Sequence, residues 1–123
     1  MITLKTEFQV PSLEETTVLS ASDKAFLREV AAKIRAVEPG AELLLYGSRG
    51  RGDAREDSDW DILAIVDRDP TRPFRRRLRS SILSYCADER TFVELAITSA
   101  THFLENRDSM EIYHNVLEDA VRL

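Results

Sequence analysis

Gly47-Ser-Arg-Gly-Arg-Gly-Asp-Ala-Arg-Glu-Asp-Ser-Asp-Trp-Asp-Ile-Leu63 is the stretch on which the reading of this chain turns. Upstream of it, Glu42-Leu-Leu-Leu-Tyr46 is an apolar run too short for a helix, and it reads as a buried strand. Downstream, Asp59-Trp-Asp-Ile-Leu-Ala-Ile-Val66 starts polar and turns apolar, as a strand does when it enters a core from a wet edge. Gly47 follows the first strand and permits a tight bend or a close backbone approach. Ser48 adds a hydroxyl and a free amide at the same corner. If a helical turn begins there, its unpaired N–H groups favour anions. Arg49 and Arg51 add positive charge, so the corner suits phosphate. An ordinary turn is the plainer alternative for Gly47-Ser48 taken alone.

Asp59 and Asp61 lie two apart on a strand, so both side chains project from one face. Carboxylates that close repel each other unless a cation or protons neutralise them. The natural partner is a hard divalent ion such as Mg²⁺, which prefers oxygen ligands. The plainer alternative is a polar loop ahead of a strand. Further on, Thr91-Phe-Val-Glu-Leu-Ala-Ile-Thr98 reads as a third strand with Glu94 between Val93 and Leu95. An acid in an apolar strand is costly unless paired or liganding. If the second and third strands are neighbours, Glu94 completes a three-carboxylate cluster able to hold two Mg²⁺ ions for in-line phosphoryl displacement. Otherwise it is an edge-strand acid facing water.

Around these strands the periodicity predicts helices. Ser20 and Asp23 form a capping-box pattern, and Leu27, Val30, Ile34 and Val37 recur at helical spacing with Ala31 beside them. Glu38-Pro39-Gly40 ends that helix. Asp69-Pro70-Thr71-Arg72-Pro73 opens a second, striped by Phe74, Leu78, Ile82 and Tyr85 or Cys86. Ser99 caps a short helix through Leu104. A last helix covers about 108–119, with Met110, Tyr113 and Val116 or Leu117 facing inward. Few strands with interleaved helices imply an α/β or α+β domain, a small mixed sheet with helices packed on it. Residues 1–20 read as an extended arm or a short edge strand. The whole of 1–123 is expected to be one domain, with its core at about 41–98.

Composition narrows the classes. Four Gly, four Pro and a 43% apolar share exclude collagen-like and disordered chains. The single cysteine, Cys86, excludes an internal disulfide framework and fits a reducing cytoplasm. No apolar run approaches the roughly 18 residues of a membrane helix, and the start carries no secretory pattern. A net charge of −5 argues against broad nucleic-acid binding. Against that trend, Arg72, Arg75, Arg76, Arg77 and Arg79 form a basic run. It reads as a solvated helix face or as a surface for RNA, phosphate or an acidic partner. The acids of the tail, Glu105, Asp108, Glu111, Glu118 and Asp119, form an opposite patch and leave head-to-tail homo-oligomers open. Cys86 reads as core, Trp60 as packing against a helix, and Tyr46 as packing inside. His102 and His114, twelve apart, lack a metal-ligand spacing and read as structural or surface residues.

Gly47-Ser48, ten residues, then Asp59-Trp60-Asp61 resembles the motif of the nucleotidyltransferase superfamily of DNA polymerase beta. Within it the chain is most similar to the minimal nucleotidyltransferases, often the antitoxin half of a pair with a HEPN-domain toxin. Arg49, Arg51-Gly52 and Ser58-Asp59 match common embellishments, and the likeness covers about 41–98. The resemblance implies a mixed sheet with packed helices and transfer of a nucleoside monophosphate, commonly AMP from ATP, with Mg²⁺. It implies Asp59, Asp61 and Glu94 as catalytic, metal-binding acids, and Gly47, Ser48, Arg49, Arg51 and Ser58 on the nucleotide side. Acceptors in the family include nucleic-acid ends, small hydroxylated molecules and protein tyrosines, here a tyrosine of a HEPN-type partner. Glu94 stands where Asp is common, and Gly50 replaces a frequent Ala. Larger relatives carry a further helical domain for the acceptor. The expectation is that a partner or dimer mate supplies that surface or that the acceptor is small. The competing reading is a non-catalytic antitoxin-like subunit that neutralises a partner by contact.

Overall fold

A computed structural model of the chain describes residues 10–47, 49, 59–107 and 109–123, without the side chains at 112, 114 and 115. The elements run α1 (Ala21–Val37), β1 (Glu42–Tyr46), β2 (Trp60–Val66), α2 (Arg72–Asp88), β3 (Val93–Ser99), α3 (Ala100–Asn106), α4 (Glu111–Asp119) and β4 (Val121–Arg122). The strands form one sheet in the order β3-β2-β1-β4. β1 is antiparallel to β2 and to β4, while β2 and β3 are parallel. The sheet is therefore mixed, as expected. The parallel pair needs a crossover, and α2 supplies it.

Local chemistry sets the helix boundaries. Ser20 and Asp23 make a complete capping box on α1. Thr71 Oγ1 accepts from the Phe74 amide at the start of α2, with Pro73 in the first turn. Ser99 Oγ accepts from the His102 amide and starts α3 directly from the end of β3.

Alternation along the strands sorts side chains onto two faces. One face presents Leu43, Leu45, Ile62, Ala64, Val66 and Leu95 to the stripes of α1 and α2. Leu27, Val30 and Ile34 of α1 and Leu78 of α2 are fully enclosed there. The other face presents Leu44, Leu63 and Ile65 to Phe103, Tyr113 and Val116 of α3 and α4. Helices thus cover both sides of the sheet. Among the described residues no helix is long and apolar enough to cross a membrane.

A polar knot ties α4 to β3. The Tyr113 hydroxyl lies 3.0 Å from Thr98 Oγ1 and 2.8 Å from His102 Nδ1, so the buried hydroxyls are satisfied. His102 is structural, as expected, and the His114 side chain lies outside the described residues. Cys86 is buried, as expected.

Three elements depart from the sequence reading. β4 is only two residues, Val121 and Arg122, and no pattern announces a strand that short. Its pairing with Leu45 and Leu44 brings the chain's end beside β1. The segment before α1, read as an extended arm or a short edge strand, is over its described part a docked arm with a single bridge. Ser12 bridges Arg122, and Leu13, Thr16 and Leu19 are buried. Met110 does not face inward. It is the N-cap of α4 and 37% exposed, because the helix begins at Glu111 rather than at about 108.

Candidate active site

The register across three strands fixes the site. Tyr46 of β1 is opposite Asp61 of β2, and Asp61 is opposite Glu94 of β3. Residues in register project on the same face, so Tyr46, Asp61 and Glu94 form one transverse row. The next row is Leu44, Leu63 and Ala96, which packs under α3 and α4. The polar row therefore lies at the margin of that helical cover. Tyr46 and Asp61 are half-buried, and Glu94 on the edge strand is exposed. Asp59 precedes β2 and is also exposed.

The condition set by the sequence is met: β2 and β3 are neighbours, and their register puts Glu94 beside Asp61. Glu94 is at once an edge-strand acid and a member of the row. The acids sense one another. Burial, then Glu94, then Asp59 raise the Asp61 carboxyl above its ordinary value of 3.8. The same negative field reaches the Tyr46 phenol, raised by burial first and then by Asp61 and Glu94. The sequence reading put Tyr46 simply inside; alternation sets it on the face of Leu44, and only the register of β1 with β2 shows that Asp61 shares that face.

Gly47 abuts this row. Its φ is +73°, a backbone region that side chains disfavour. A Cβ at this position would lie 2.9 Å from Asp61 Oδ2. The glycine is thus required twice, by the bend and by the carboxylate packed against it.

Arg49 and Trp60 form a second device on the opposite face. Trp60 alternates away from Asp61 and is buried against α1, 6.0 Å between ring centroids from Phe26. It packs against a helix, as expected. The Arg49 guanidinium lies over the Trp60 indole, 4.3 Å from its centroid. Phe26 in turn stacks on Tyr85 of α2 at 5.6 Å. The chain just past Gly47 is thereby fastened to the residue between the two aspartates. Ser48, Arg51 and Ser58, the other nucleotide-side candidates, lie outside the described residues.

The donor set fits a hard divalent cation in kind: carboxylate oxygens only, one of them with its pKa raised by burial and then by its acidic neighbours. It is not a closed cage. Among the described residues no three acidic, His or Cys side chains stand together tightly enough to hold an ion as they are. Asp59 and Glu94 are the exposed members, free to change rotamer toward a ligand.

The basic run on α2 has a partly structural use. Parallel pairing turns the Phe92 carbonyl toward β2, where it accepts from the Trp60 amide, and alternation turns those of Leu95 and Ile97 outward. Arg79 Nε donates to the Leu95 carbonyl at 3.2 Å, and Arg75 Nη1 to that of Ile97 at 2.7 Å. Two of the arginines thus blunt the free edge of β3.

Comparison with known proteins bears on the family and the fold. Residues 26–120 match the nucleotidyltransferase domain family. Among solved structures the chain is similar to the crystal structure of a mutant form of the toxin–antitoxin MntA–HpeT. The TM-score is 0.54 at 14% identity, covering 77% of this chain and 69% of that one, which is a likeness of fold. No curated protein sequence matches the chain.

Proposed function

Since the chain belongs to the nucleotidyltransferase domain family, we propose that it transfers a nucleoside monophosphate, AMP from ATP, to a hydroxyl acceptor with Mg²⁺. The observation that carries this reading is the register that sets Glu94 beside Asp61, with Asp59 at the entrance of the same strand. Asp59, Asp61 and Glu94 would hold the metal. Bound Mg²⁺ neutralises phosphate charge as it develops. The Gly47 bend, with Ser48, Arg51 and Ser58, receives the triphosphate. In the transfer the acceptor oxygen bonds to the α-phosphorus while the bond to the bridging oxygen breaks, and pyrophosphate leaves. In this reading Glu94, exposed like Asp59, either completes the metal ligands or takes the acceptor proton. Arg49 acts through Trp60, holding the bend against the strand that carries the aspartates.

The acceptor we propose is a tyrosine of a HEPN-type toxin partner. A toxin–antitoxin complex among the structural neighbours supports a toxin as partner. The same neighbour supports a second reading, neutralisation by contact alone. One experiment separates them. Wild-type protein with α-labelled ATP and Mg²⁺ is expected to label its partner, and Asp61→Asn to reduce labelling to background while remaining folded. Equal labelling by Asp61→Asn would refute the catalytic reading. Full neutralisation by an unlabelling Asp59→Asn/Asp61→Asn variant would establish the contact reading.

A further inference from the structure

Beyond the acidic row, the free edge of β3 carries a groove of about 430 Å³ between that strand and α2. Its wall is Ile82, Leu83, Phe92, Val93 and Leu95, and it runs to Glu94. Leu83 of α2 and Phe92 just ahead of β3 are 68% and 65% exposed, large apolar side chains held in water at the groove. A second hollow, lined by Arg72, Arg75, Arg76 and Arg79, shares Arg79 and Leu83 with the first, so the two form one continuous surface. The chain as a whole is acidic, at −5, yet this surface is locally cationic. Apolar anchors beside concentrated positive charge are a recognition surface of defined chemistry.

We propose that this edge groove docks a partner protein through an acidic segment bearing an apolar anchor. The anchor fills the hollow between Leu83 and Phe92, and its flanking carboxylates meet the arginines of α2. Sheet extension by a second β3 is disfavoured, because the Leu95 and Ile97 carbonyls already bind Arg79 and Arg75. Nucleic acid fits less well: apart from Phe92, Cys86 and Arg79 the apolar lining is aliphatic, and Glu94 adds negative charge. The docked segment lies next to Glu94, where the row of acids begins. The inference concerns binding only and stands apart from the transfer chemistry.

The test is a display selection of random short peptides on the full chain, without ATP or Mg²⁺. Enriched peptides are expected to be acidic with a large apolar residue. Their affinity, read by fluorescence anisotropy, is expected to fall about tenfold or more in Leu83→Glu and in Phe92→Glu, and to weaken with salt. Both side chains are exposed, so folding survives, which circular dichroism checks. Asp61→Asn is expected to bind the peptides as wild type does, so an inactive enzyme does not disturb this result. No enrichment, enrichment of basic or polar peptides, or binding indifferent to both substitutions would overturn the proposal. So would tighter, groove-dependent binding of single-stranded RNA, or a homodimer that Leu83→Glu dissolves.

Discussion

Replacing Asp61 by Asn is expected to stabilise the metal-free protein at neutral pH, although it removes a residue central to the site. Burial and two neighbouring acids raise the Asp61 carboxyl, so the folded state holds its proton more tightly than the unfolded state does. The sign follows. Stability conferred by the protonated form is full below the ordinary value of 3.8 and falls as pH rises through the raised folded value. At pH 7 the ionised carboxylate is therefore a cost. Register across β2 and β3 puts Asp61 and Glu94 on strands about 4.8 Å apart. Unit charges about 5 Å apart repel by ~3 kcal/mol at an effective dielectric of ~20 and by ~0.8 kcal/mol in water. Glu94 is exposed, so we take about 1 kcal/mol, which in a chain of this size is about 3–5 °C in Tm. Calorimetry in EDTA is expected to show Asp61→Asn melting higher than wild type at pH 7 and level with it near pH 4. Mg²⁺ at tenfold over its Kd would add about 1.4 kcal/mol to wild type. It is expected to add much less to the variant. A lower Tm for Asp61→Asn in EDTA, or equal stabilisation of both proteins by Mg²⁺, would refute the reasoning.

Gly47→Ala is expected to lose about 1–2 kcal/mol in urea denaturation, from the left-handed backbone alone. Because the new methyl presses on Asp61 Oδ2, it is also expected to abolish stabilisation by Mg²⁺. Arg49→Ala and Trp60→Leu are expected to couple by about 0.5–1 kcal/mol in a double-mutant cycle on stability, whereas a purely phosphate-binding Arg49 would show no coupling without nucleotide. Arg75→Ala/Arg79→Ala bares the outward carbonyls of β3 and is expected to raise light scattering on warming, with little loss of Mg²⁺ binding.

The sequence carried the strand–bend–strand core because three local signals agreed there: an apolar run, a glycine at a bend, and acids ahead of a second apolar run. It could not carry the neighbour relation of β2 and β3, since pairing depends on where α2 returns the chain. The role of Glu94 was therefore conditional until the register placed it opposite Asp61. β4 escaped for a different reason: two residues have no period, and only their pairing with β1 makes them a strand. The arginine run was legible only in part, because helix-face patterns say nothing of a strand edge across the groove. Arg75 and Arg79 resemble their neighbours in sequence and differ only in which carbonyls they reach.

The placement of the acids follows from the architecture itself. A mixed sheet covered by helices on both faces has little room for charge within its middle rows. Here the middle row is Leu44, Leu63 and Ala96, and α3 and α4 lie over it. Charge is tolerable one row further, where the helical cover gives out and water reaches Glu94. Asp61 is the compromise, close enough to the core for burial, with its acidic neighbours, to raise its pKa, and close enough to the margin to stay part-exposed. Moving the pair two residues deeper would put carboxylates at positions 63 and 96, under α3 and α4. Moving it two residues outward would put it at position 59, beyond the last paired residue of β2, where the sheet no longer fixes the relation to β3. Among the described residues, the row at Asp61 sets two acids on neighbouring strands where they are wet enough to bear charge and are held in register.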